Sequence, residues 1–169
     1  MAEQNSGTTR QQAEEIPQLD MALLGSEIGE RIHLGIGDSW VERLPHFTDA
    51  RGSLTPLELG KGFPFEPKRI FLVYAVQDNQ LRGEHAHRQC KQFLVAVHGG
   101  ISVIVDDGHH RKEIRLDTPT TGLYLAPMVW GVQYKFDADA VLMVAASHNY
   151  EPDDYIRDYE VFLSEIGKR

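Results

Sequence analysis

The chain has 169 residues, 41% of them hydrophobic and 25% charged, the profile of one soluble globular domain with a core of its own. A formal net charge of −8 argues against nucleic-acid binding, which needs a basic face, and there is no apolar run of the roughly 18 residues that a membrane helix requires. Cys90 is the only cysteine, so no intrachain disulfide forms, and with no signal-peptide core at the start the expected location is the cytoplasm.

Residues 1–15 are rich in Gln, Glu, Ser and Thr and are expected to be a disordered tail. Residues 16–40 form an extended lead-in, with a short helix expected over Met21–Ile28, stopped by Gly29, and with a length of chain free to pair with a neighbour's sheet edge. Residues 41–169 make the main domain. There, short apolar runs recur between turn signals and predict strands at Trp40–Leu44, Ser53–Leu59, Arg69–Ala75, Glu84–His87 and Gln92–His98. Further strands are predicted at Ile101–Asp106, Arg111–Leu116, Gly122–Leu125, Gln133–Phe136 and Ala140–Ser147. Gly99–Gly100 and Asp107–Gly108 suit tight hairpins, because those turns need positive φ. Ten short strands with one C-terminal helix from about Tyr155 to Ile166 predict an all-β, antiparallel barrel or two-sheet jelly roll.

Arg82–Gly83–Glu84–His85–Ala86–His87 is the segment richest in chemistry. On a strand His85 and His87 share one face and Ala86 takes the other. Two imidazoles on one barrel strand can bind a metal or move protons. The segment resembles the first cupin motif, with Gln92 in place of the acid and Gly99 closing the pattern. In the second motif, Trp130 stands three residues after Pro127, where a histidine is usual. Two of the usual four ligands are therefore missing, and a catalytic first-row metal needs at least three. The expectation is a site with no metal and no cofactor, in which His85 and His87 do acid–base work.

More segments carry a closer resemblance. They are Asp49-x-Arg51–Gly52–Ser53–Leu54, Pro64–Phe65-x-x-Lys68–Arg69, Asp106–Asp107–Gly108, Gly122–Leu123–Tyr124, Trp130 and Tyr150–Glu151-x-x-Asp154–Tyr155–Ile156–Arg157–Asp158–Tyr159. Together with the histidine motif they resemble the WxcM-like family of sugar nucleotide 3,4-ketoisomerases, over roughly Leu44 to Phe162. The resemblance implies a homodimeric cupin that shifts the ketone of a dTDP-4-keto-6-deoxyhexose from C4 to C3 without a metal. It also implies a place in making amino sugars for surface polysaccharide. This chain departs from some members at Phe71 and Leu72, where they carry tyrosines, and at Gly131, where they carry a histidine.

Such chemistry needs a near-neutral base for the C3 proton, a role assigned to His87, with His85 carrying a proton between the two oxygens or polarising the C4 carbonyl. Tyr124 is a candidate acid, or else a core tyrosine. Arg82 either steadies the oxyanion, holds phosphate or is a solvated loop charge. Arg69 and Arg51 are candidates for the diphosphate, Arg69 the stronger because it opens an apolar strand; Arg51 is otherwise a loop charge, and Arg88 faces solvent. Trp130 either stacks on the nucleobase or fills the core, and Gln92 joins the histidines only if a bulge or turn near Gln89–Cys90 corrects its parity. The Tyr150–Tyr159 segment is expected to be a structural cap with no catalytic part. A related sugar epimerase, or a non-catalytic cupin that binds a sugar nucleotide, fits the same residues.

Overall fold

Strand after strand, the chain of this computed structural model, which describes residues 15–167, crosses between two facing sheets. The strands are β1 (Arg31–His33), β2 (Trp40–Arg43), β3 (Phe47–Asp49), β4 (Gly52–Leu54), β5 (Arg69–Tyr74), β6 (Arg82–His87) and β7 (Gln92–His98). They continue as β8 (Ile101–Asp106), β9 (Arg111–Leu116), β10 (Thr121–Leu125), β11 (Trp130–Tyr134), β12 (Val141–Ala146) and β13 (Tyr155–Ile156), before helix α1 (Tyr159–Ile166). One sheet runs β1-β2-β10-β7-β12-β5, the other β13-β6-β11-β8-β9, and β3–β4 is a separate hairpin. Every strand pair is antiparallel. The result is the expected all-β jelly roll with one short C-terminal helix, its two sheets facing each other rather than closing into a continuous barrel.

The turns explain the crossings. Asp107–Gly108 makes the expected hairpin, with β8 and β9 paired from Asp106↔Arg111 onward. Gly99–Gly100 does not: it is a corner that takes the chain from β7 in one sheet to β8 in the other. Alternation along the strands then sends Val41, Leu94, Leu123, Leu142 and Val144 from one sheet, and Val103, Val105, Ile114 and Leu116 from the other, into a shared and fully buried core. Each such side chain contributes about 1.5–3 kcal/mol by leaving water. A smaller core of Ala86, Met128, Trp130, Ile156 and Phe162 lies where α1 packs on the β6–β11 side.

Several expectations shift. The helix over Met21–Ile28 shrinks to a 3-10 turn at Met21–Leu23, capped by Asp20. The C-terminal helix starts at Tyr159, because Tyr155 and Ile156 are spent pairing with His87 and Ala86 and Asp158 caps the Val161 N–H. The strand expected at Gln133–Phe136 starts at Trp130 and ends at Tyr134, before the positive φ of Lys135. Residues 1–14 of the expected tail lie outside the described residues. The lead-in pairs with its own chain rather than lying free. The Leu19 N–H donates to the Glu113 carbonyl on β9 (2.8 Å), β1 lies along β2, and Leu24, Leu34 and Ile36 enter the main core. No helix among the described residues is long and apolar enough to cross a membrane.

Candidate active site

His85 and His87 reach the same face of β6, as their spacing requires. Their rings meet edge to face with centroids 4.9 Å apart, while Ala86 points the other way, into the small core under α1. A β-bulge sets up this end of the strand: β11 pairs Gly131 with His85 and then Val132 with Gly83, so Glu84 is the extra residue. Gly83 and Glu84 both have positive φ, and a Cβ on Gly83 would come within 2.7 Å of the Gly131 carbonyl oxygen. The bulge turns the Gly83 carbonyl to accept a hydrogen bond from His85 Nδ1 at 2.8 Å.

His87 is held by a residue far along the chain. Its Nδ1 donates to Asp154 Oδ2 at 2.8 Å, and Asp154 also accepts the Gln89 and Cys90 backbone N–H groups at 2.7 and 3.2 Å. Burial pushes the Asp154 carboxyl up, but these hydrogen bonds outweigh it and hold it below the usual carboxylate range. An ionised carboxylate only accepts, so the proton of neutral His87 sits on Nδ1 and its Nε2 carries the lone pair. That Nε2 is buried and has no hydrogen-bond partner among the described residues. Burial, and then the neighbouring His85, depress the His87 pKa to about 4. Burial lowers His85 as well, against the bond to Gly83, and Arg157 and Arg69 add to the shift. Both imidazoles are therefore neutral near pH 7.

Tyr155 completes the cluster, its ring 4.3 Å from that of His87 and 4.9 Å from that of His85. Its hydroxyl accepts from Arg69 Nη2 at 2.9 Å, which ties edge strand β5 to β13 across the two sheets. Arg69 Nε is buried without a partner, and the Arg157 guanidinium lies 4.1 Å over the Tyr155 ring. Two cations thus flank the histidines. Gln92 faces the same interior, in a cross-strand row with Ala146 and Arg69. The turn at residues 88–91, which carries the chain from one sheet to the other, resolves its parity. Gln133, paired with Val103 on the inner face of β11, also leaves a buried amide oxygen without a partner.

Other expected residues lie elsewhere. Tyr124 stacks on Trp40 at 3.8 Å and packs against Phe65, on the opposite face of its sheet from the inward Leu123. Trp130 packs against Tyr159 and Phe162 under α1, which is the core alternative. Arg51 is 90% exposed and bonded to Asp49 of its own turn. Arg82 is exposed at the start of β6. Arg88, expected in solvent, instead clamps the C-terminal segment by donating to Glu165 at 2.6 Å and to the Asp153 carbonyl at 2.6 Å. A cavity of about 330 Å³ between Leu57, Phe63 and Phe93 has none of the histidine cluster in its walls.

The cupin metal does not fit these donors. Gln92 offers only a neutral amide where the cupin motif carries its acid, and Trp130 points away under α1. His87, Cys90 and Asp154 do place three ligand atoms within 4.8 Å of one another, but His87 Nδ1 and the carboxylate are already bonded to each other there.

A family model described as FdtA, WxcM-like, C-terminal, matches residues 37–167. The chain belongs to this family. It is 43% identical over 120 residues, 71% of its length and 86% of the relative's, to the TDP-4-oxo-6-deoxy-α-D-glucose 3,4-oxoisomerase of Aneurinibacillus thermoaerophilus. Among solved structures it resembles a 3,4-ketoisomerase from Helicobacter canadensis at 36% identity and a TM-score of 0.74, covering 77% of this chain and 98% of that one. It also resembles the 3,4-ketoisomerase QdtA of Thermoanaerobacterium thermosaccharolyticum, solved as a histidine-to-asparagine variant with TDP-4-keto-6-deoxyglucose. There the identity is 31% and the TM-score 0.77, covering 79% of this chain and 97% of that one.

The sequence reading missed Asp154, Tyr155 and Arg157 in the site. It took Tyr150–Tyr159 as a structural cap, whereas that segment delivers the partner of His87 and the aromatic wall of the cluster. The signal available was three functional residue types in four positions, inside a segment already quoted for the resemblance.

Proposed function

We propose that this protein is a sugar nucleotide 3,4-ketoisomerase, converting a dTDP-4-keto-6-deoxyhexose into its 3-keto isomer. The observation that carries the proposal is the state of His87: Nδ1 anchored on Asp154, Nε2 buried, neutral and unpartnered. Such a nitrogen is a base aimed at a proton that the protein does not supply. It takes the proton from C3 next to the C4 ketone, and the electron pair left behind forms the enediolate. Asp154 stabilises the imidazolium that results. His85, whose Nδ1 is fixed by Gly83, moves the hydroxyl proton from the C3 oxygen to the C4 oxygen through Nε2. His87 then returns its proton to C4, leaving the ketone at C3, and no atom or electron is gained or lost. No metal is needed in this sequence of steps.

Arg69 and Arg157 bind the diphosphate, since charge-assisted hydrogen bonds suit phosphate oxygens and both guanidinium groups border the histidines. Gln92 and Gln133 face the sugar from the inner sheet surfaces. The enzyme works as a homodimer in the cytoplasm and supplies a keto sugar for amination in surface-polysaccharide synthesis. NMR of the product formed from dTDP-4-keto-6-deoxyglucose in deuterated water tests the reading. A 3-keto product is expected, with C4 carrying the hydrogen that His87 took from C3, or deuterium to the extent that this proton exchanges with solvent on the imidazole. A product still ketonic at C4 but inverted at C3 would make the protein an epimerase.

A further inference from the structure

Three metal-binding side chains converge at the Nδ1 edge of His87. Its Nδ1, the Cys90 Sγ and a carboxylate oxygen of Asp154 all lie within 4.8 Å of one another. The sequence itself brings two of them together. His87–Arg88–Gln89–Cys90 puts two residues between its donors, the spacing of short metal-chelating loops. The third arrives on the 3-10 turn Pro152–Asp154, and the Gln89 and Cys90 backbone N–H groups fix its carboxylate by donating to it.

The surroundings suit a dication. Cys90 is 2% exposed, yet its Sγ has only long partners: it donates to the Lys91 carbonyl at 3.4 Å and accepts from Ser147 Oγ at 3.9 Å. A thiolate and a carboxylate together cancel two positive charges, so a bound dication leaves the buried site neutral overall. Thiolate and imidazole select zinc over magnesium or calcium. Three protein ligands leave a fourth position for water, and Asp154, with 12% of its side chain exposed, connects the site to solvent.

We propose that Zn²⁺ binds His87 Nδ1, Cys90 Sγ and Asp154, and that it switches the active site off. The switch rests on His87 being the base, as proposed above; the binding does not. A proton joins His87 Nδ1 to Asp154 Oδ2, and zinc takes its place. A neutral imidazole metallated on one nitrogen carries its hydrogen on the other, so that proton moves to Nε2. With a hydrogen on it, Nε2 has no lone pair left for C3. Cys90 gives its thiol proton to solvent, which makes one proton released per zinc. Zinc bonds of about 2.0–2.3 Å in a tetrahedron set ligand atoms about 3.3–3.8 Å apart, so His87 and Asp154 part by roughly half an ångström and Cys90 moves in. Cys90 and Asp154 both sit in turns, where such a shift disturbs no strand pairing. His85 takes no part, its Nδ1 being held by Gly83.

The test uses the full chain with Co²⁺ as the probe, because a cobalt–thiolate bond absorbs in the near ultraviolet. Cys90 is the sole cysteine, so such a band has one source. Titration should raise the band to a plateau at one Co²⁺ per chain, and Zn²⁺ should displace it. His85→Asn should keep the band and Cys90→Ser should lack it. In the ketoisomerase assay, Zn²⁺ should lower native turnover about 100-fold or more, the effect of losing a general base, and a chelator should restore it. Cys90→Ser, compared with its own zinc-free rate, should need over about 10- to 100-fold more zinc, since a lost ligand costs more than a lost outer partner. No thiolate band with the native protein would overturn the site. A band without inhibition, or equal inhibition of native protein and Cys90→Ser, would overturn the switch. Should the protein not act on dTDP-4-keto-6-deoxyglucose at all, the ketoisomerase reading and the switch fall, while the band still decides the metal site.

Discussion

Asp154 Oδ2 lies 2.8 Å from His87 Nδ1, joining the two residues across 67 positions of sequence. The contact fixes which nitrogen of His87 holds the proton and therefore which nitrogen can take one. Asp154→Asn removes the negative charge that stabilises the imidazolium, and an amide N–H turned to Nδ1 would impose the wrong tautomer. Turnover should fall about 100-fold or more, in the range typical of lost acid–base function. Affinity for dTDP should be nearly unchanged. Steady-state kinetics together with dTDP titration of the same variant measures both.

The pH profile follows from the two histidines. Both have pKa values below the ordinary 6.5, His87 at about 4, so kcat/KM should be flat from neutral pH upward and decline only in acid. An acid limb centred at or above pH 7 would mean that another group sets the rate.

Stability should share this direction. The unfolded chain binds the histidine protons more tightly, so between about pH 4 and 6.5 it holds more protons than the folded chain, and folding weakens as pH falls through that window. Urea denaturation at pH 5 and pH 7 should show this loss for the native protein and a smaller loss for His87→Asn.

Arg69→Ala should weaken dTDP binding about tenfold or more, because a hydrogen bond to a charged group contributes about 1.5–3 kcal/mol and 1.4 kcal/mol is tenfold. Its effect on turnover at saturating substrate should be the smaller one. Isothermal titration with dTDP, read beside kcat, separates the two.

Trp130→Ala should act on the fold instead of the ligand. Its ring fills the space under α1 beside Tyr159 and Phe162, and truncating a buried aromatic costs about 3–5 kcal/mol. The folded fraction should bind dTDP as the native protein does, measured by denaturation and titration of one preparation.

The sequence made the period-two elements legible. β7, β8 and β9 fall on their expected bounds because apolar-rich runs in β7 and β8, and the charged strand Arg111–Leu116 with Ile114 and Leu116 buried in β9, are bounded by glycine or aspartate turns. The same periodicity placed His85 and His87 on one face and Ala86 on the other. It did not say which sheet face is the interior. Tyr124 and Trp130 therefore stood equally as site and core residues until the pairing of β10 and β11 showed both pointing away from the histidines. Asp154 and Tyr155 were hidden for another reason. They act from a 3-10 turn and a two-residue strand, elements too short to leave a pattern, in a segment whose acidic composition reads as surface.

The account stands on His87 as the carbon base. The direct measurement is the rate at which hydrogen leaves C3 of dTDP-4-keto-6-deoxyglucose in deuterated water, followed by NMR as exchange plus isomerisation. The native protein should release it at the rate of turnover, and His87→Asn should be slower by about 100- to 10,000-fold while still binding dTDP. Release from His87→Asn as fast as from the native protein would contradict the account.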